Sequence, residues 1–303
     1  MKLIDAMEVT EAVLAGSSIS EDEHPPYDPV VTYAKDVSVL IEATHRVYRS
    51  VVDDNTGNDP TVLGSIYWVE VSATNLWKPF DNLVTDQAEG ASPLWWSLAP
   101  NQFVNALAVF NIEDADDVTV QVYSEGTEVA TYDQTLELVD NSMVDDWHAY
   151  FFQPIERFAK AVFTDLPAFE GDAVDVTVTS GDGTPKVGQI VLGLVHTIGT
   201  TQEGVTASIE DFSIKEDDAF GRPTVVERSY KTSVDYPVAI ATERSAYIQR
   251  LLARRRATPT AYFPDSDLDR FGVSVFGFFE DFTVTLSGSP QSEVSITIEG
   301  LEA

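Results

Sequence analysis

Four histidines, 50 carboxylates and no cysteine bound the chemistry open to this 303-residue chain. Without cysteine there is no thiol nucleophile, no disulfide and no thiolate zinc site. His24, His45, His148 and His196 are too widely spaced for a local metal motif, and none stands in a His-Glu-x-x-His pattern. His148 follows Asp145 and Asp146, which would suit an Asp–His pair, but no serine sits in a Gly-x-Ser-x-Gly elbow to use it. The acidic run 53–59 (DDNTGND) offers oxygens for calcium. It departs from the EF-hand pattern in its glycine and terminal glutamate positions, so a polar turn is expected. No Gly-rich loop of a phosphate-binding type is present. Two carboxylates could flank a glycosidic bond, but among so many acids only their separation in space would decide. No catalytic residue, metal or cofactor is expected, and the chain reads as non-enzymatic.

Binding chemistry is better represented. Of five tryptophans, Trp68 and Trp147 fall in strand-like runs and are expected in the core. Trp77, Trp95 and Trp96 lie in loop-like contexts and are candidates for stacking on a sugar ring or anchoring a protein interface. Arg250, Arg254, Arg255 and Arg256 form the one basic concentration, at the end of an expected helix where the helix dipole favours cations. In a chain of formal charge −32 they are also a candidate socket for an acidic subunit neighbour. The same charge repels nucleic acid and anionic lipid, and no apolar run is long enough for a membrane span. The opening MKLIDAMEVTEAVLAG lacks the continuous apolar core of a signal peptide.

The elements that must hold these groups are mostly short strands. Residues 36–51, 65–72, 103–110, 117–123, 128–132, 147–153, 159–164, 173–179 and 188–196 read as strands at intervals typical of a β-sandwich or jelly roll. The Asp-Gly pair in 180–184 (SGDGT) predicts a hairpin. A break at 199–205 marks an expected boundary. Beyond it 205–214, 223–236, 271–286 and 293–301 read as strands, and 242–254 as the single helix, stopped before Pro259. The expected fold is all-β: residues 1–59 form an arm and first strands, 60–199 a jelly-roll sandwich, and 200–303 a smaller β-rich sandwich with one helix.

Three stretches carry a family likeness: TNLWKPFD at 74–81, the run from Trp147 to Gly193 containing YFF, DLP and VGQIVLG, and RRRATPTAYFPD at 254–265 with the terminal SEVSITIEGL. In that order they resemble bacteriophage tail-tip and baseplate-associated proteins. Where that group often has Arg before the first Trp, this chain has Leu76. The resemblance implies a galactose-binding-like jelly roll followed by a module similar to distal tail proteins. It further implies a structural role in the virion, assembled in the host cytoplasm, with other tail proteins and a three- or six-fold homo-oligomer as partners. A carbohydrate-binding, receptor-recognition role in host attachment is the alternative, and no catalytic residue comes with the likeness.

Overall fold

The computed structural model describes residues 1–142, 144–154, 156–217, 222–228, 230–265, 273–285 and 290–301. Within them the chain is an all-β protein of sandwich type. Alternation drives the sandwich. In Asp117–Tyr123 and Ala173–Thr179 the valines 118, 120, 122, 174, 176 and 178 have no solvent exposure, while the residues between them are partly exposed and mostly polar. Each buried valine contributes about 2 kcal/mol of transfer free energy.

These two strands are the middle of a five-stranded sheet ordered Tyr132–Glu137, Asp117–Tyr123, Ala173–Thr179, Leu94–Leu98, Leu14–Ser17. Its apolar side meets Leu107, Val109, Phe163, Ile190 and Leu192 from one end of an eleven-stranded sheet. That larger sheet runs Lys160–Ala168, Val104–Glu113, Lys186–Thr197, Lys2–Ala6, Thr260–Phe263, Val275–Thr285, Gln291–Gly300, Tyr230–Ala241 and Thr200–Thr201, with two further strands paired off this path. It therefore takes strands from all three expected segments. A second core at its other end combines Tyr236, Val238, Ile296 and Ile298 with Ile248, Leu251 and Leu252 of a helix, α2 (Ser245–Arg255). A small third sheet, Ser38–Ile41, Arg46–Ser50 and Trp68–Ala73, lies outside both.

Four expectations are corrected. The amino terminus is not an arm: Lys2–Ala6 is an interior strand paired on both sides, register Ala6 to Gly193 and Ile4 to Ala261. Its alternation is hidden because both faces are covered, Leu3 entering one core and Ile4 another. The 180–184 turn is no hairpin, since the strands it joins belong to different sheets. The chain arches between layers there, with Gly181 N–H donating to Asp116 at 2.7 Å. The strand expected at 128–132 begins only at Tyr132. The aromatic run at 147–153 is a short helix, α1 (Trp147–Phe152). Of the strand expected at 271–286, Phe271, Gly272 and Leu286 lie outside the described residues.

Candidate functional site

The 74–81 stretch folds as a clip. Thr74 Oγ1 donates to Glu21, and Asn75 exchanges two hydrogen bonds with the backbone of Glu89. Pro79 sits inside a single 3-10 turn, Lys78–Phe80, where its fixed φ is no obstacle. Trp77, only 9% exposed, stacks on His45 at 4.2 Å between ring centres. His45 in turn lies 3.0 Å from Glu21 through Nδ1 and 3.0 Å from Glu11 through Nε2. The turn thus ties the segment carrying Glu11 and Glu21 to the small sheet. Burial pushes the Asp81 carboxyl up to about 6, against the opposing pull of the Leu83 N–H and the Arg46 guanidinium.

Trp95 and Trp96 are neighbours with opposite surroundings. Leu94, Trp96 and Leu98 point into the first core without exposure, and Trp96 Nε1 donates to Leu76 C=O at 3.4 Å. Trp95 faces the other way and is half-buried, its backbone held by Ser17 and Ser18 while its ring packs over Gly16. Trp95 and Trp96 therefore lie on the strand Leu94–Leu98 rather than in a loop, and Trp77 and Trp96 are buried, while Trp95 faces away from the core that holds Trp96. Trp68 is buried against Tyr27 and Tyr33, as expected.

Trp147 is not in the core. With Tyr150, Phe151 and Phe152 it covers α1, and these four rings keep between 65% and 78% of their surface in solvent. The helix tops an excursion whose root is a two-residue ladder, Val139–Asp140 with Glu156–Arg157, fastened by buried Leu138 and by Arg157 to Asp116 at 2.7 Å. Asp145 and Asp146 immediately precede α1, and Asp140 and Glu156 lie in the ladder at the root of the excursion. His148 lies against Phe152 rather than in a triad-like arrangement.

The four arginines divide. Arg255 is ion-paired with Asp5 and pins the end of α2 to the interior strand. Arg250 and Arg256 donate to backbone carbonyls of Ala246 and Ala253, and Arg254 is exposed. None of these three makes an ion pair among the described residues. Arg250 and Arg254 line a hollow of about 250 Å³ with Tyr247 and His196, whose imidazole burial lowers from its ordinary pKa.

In 53–59 two of the acids hold neighbouring segments: Asp53 accepts from the N–H of Lys35 and Asp59 from Thr61. Among the described residues no three His, Asp or Glu side chains gather as a metal site. A feature without a sequence signal is a cleft of about 470 Å³ beside the end of α2, lined in part by Phe80, Gln189 and Arg255. Each of those residues comes from a different one of the three family-like stretches. In comparisons with known proteins, no family model matches the chain and no curated protein is similar to it.

Proposed function

We propose that this chain is a structural subunit of a bacteriophage tail tip or baseplate, joined to copies of itself and to other tail proteins, with no reaction of its own. One observation carries the reading. The exposed aromatic surface of α1, with Asp145 and Asp146 just before it and Asp140 and Glu156 in its root ladder, and the three arginines of α2 that make no ion pair among the described residues are complementary in chemistry. Guanidinium stacks on Trp and Phe faces and pairs with carboxylates at once.

The two surfaces also lie apart on the chain. α1 leads into Lys160–Ala168 at one end of the large sheet, whereas α2 leads into Thr260–Phe263, four strand positions away. That is roughly 19 Å at the usual strand spacing. A contact between them thus joins two copies head to tail, and such contacts close into a ring when the rotation permits. The order of the family-like stretches supports the phage setting and a three- or six-fold ring. The titratable groups with shifted pKa are dispersed, Asp81 in the clip, His196 beside α2 and Tyr262 within a strand, which favours a role without catalysis. Quantitative mass spectrometry of purified virions tests the proposal. A copy number fixed at a multiple of three is expected, and absence from the particle overturns it.

A further inference from the structure

We infer that the cleft beside the end of α2 is a binding site for a neutral pyranose, a role separate from the assembly surfaces. Its lining includes Gln189 and Phe276 from two strands of the large sheet, Phe276 belonging to a buried apolar cluster with Val191, the second residue after Gln189. Its walls are Met7, Phe80 of the clip and Pro259 beyond α2, with Asn82 and Thr258 at the exposed rim. The volume of about 470 Å³ falls in the range of small-molecule sites.

The informative group is Gln189. It is 3% exposed and its Oε1 has no hydrogen-bond partner, while Nε2 makes only a long contact of 3.4 Å to Ile190 C=O. A buried amide oxygen left without a donor is costly, so this acceptor is set for a group that arrives with the ligand. The ligand must bring an O–H or N–H. It is not an anion: the guanidinium at the cleft, Arg255, is already paired with Asp5, Glu8 stands at the same cleft, and the chain carries −32. A sugar ring answers both remaining demands. Its hydroxyls donate to Gln189 Oε1 and its C–H face rests on Phe80. Convergence of three distant stretches on one small cavity is what a binding site requires of a fold.

Saturation-transfer NMR on the full chain tests this with methyl glucoside, galactoside, mannoside and N-acetylglucosaminide, and with neutral dextran and galactan as polymers. Transfer from the protein to at least one neutral sugar is expected, glycosides reporting a terminal residue and polymers an internal one. Gln189→Leu keeps the side-chain volume and removes the acceptor. It should weaken binding at least about tenfold, the worth of one buried hydrogen bond, without lowering the melting temperature of the free protein. Thr258→Trp, at the exposed rim, should block the cleft and leave folding unchanged. Binding by none of these sugars, binding that survives both substitutions, or binding of glucuronate alone would overturn the inference.

Discussion

Replacing Asp81 by Asn should stabilise the protein at neutral pH, and the size of the gain follows from where the carboxyl sits. Oδ1 accepts the Leu83 N–H at 2.8 Å, Oδ2 has no hydrogen-bond partner, and the nearest cation, Arg46, is 3.7 Å away. Desolvation therefore dominates and raises the pKa from 3.8 to about 6. A folded-state pKa above the unfolded value means that the folded protein holds the proton between about pH 4 and 6. The side chain's contribution is thus greatest below pH 4 and is lost as pH rises through 6. A shift of about two units corresponds to about 3 kcal/mol. Solvent reaching the turn screens part of this, and the opposing attraction of Arg46 is already contained in the shift, so about 1–2 kcal/mol is expected. Asn retains the acceptor for Leu83 and carries no charge. Urea unfolding of both proteins at pH 4 and pH 7 isolates the effect, because other carboxylates cancel in the difference. The variant should gain about 1–2 kcal/mol on the wild type between the two pH values. A difference independent of pH, or one favouring wild type more at pH 7, would refute the reasoning.

Other expectations follow from the same structure. Gly193→Ala places a methyl 2.1 Å from the Asp5 carbonyl and should cost about 2–4 kcal/mol in urea unfolding, since both strands are interior. At concentrations low enough to keep the chain monomeric, Trp147→Ser with Phe151→Ser should leave thermal stability within about 0.5 kcal/mol, as these rings are exposed on the single chain, while reducing binding of a hydrophobic dye. Raising NaCl from 0.1 to 1 M shortens the screening length from about 10 to about 3 Å and should raise the melting temperature of a chain at −32, as scanning calorimetry would show.

What could be read in the sequence depended on whether one face of an element is open to water. The strands at 117–123 and 173–179 were legible to the residue because valine alternates with polar partners whose outer face is solvated. Lys2–Ala6 was not, because adjacent Leu3 and Ile4 both bury and erase the alternation. Trp147–Phe152 is aromatic or apolar at every position but His148, which resembles a buried strand until the helix displays its large rings to solvent. Of the candidate site, the arginine cluster was legible as a charge anomaly. Its division was not, because Asp5, which takes Arg255, lies 250 positions away. Gln189 had no signal at all: a glutamine in an apolar strand gains meaning only when Phe80 and Pro259 close around it.

Sedimentation velocity on wild type, on Arg250→Glu with Arg254→Glu, on Trp147→Ser with Phe151→Ser, and on an equal mixture of the two variants tests head-to-tail assembly most directly. Each double variant keeps one working surface, so wild type should form a closed oligomer, each variant alone should be monomeric, and the mixture should stop at a dimer holding one intact contact. Monomeric wild type at high concentration, variants that assemble as wild type does, or a mixture that stays monomeric would contradict it.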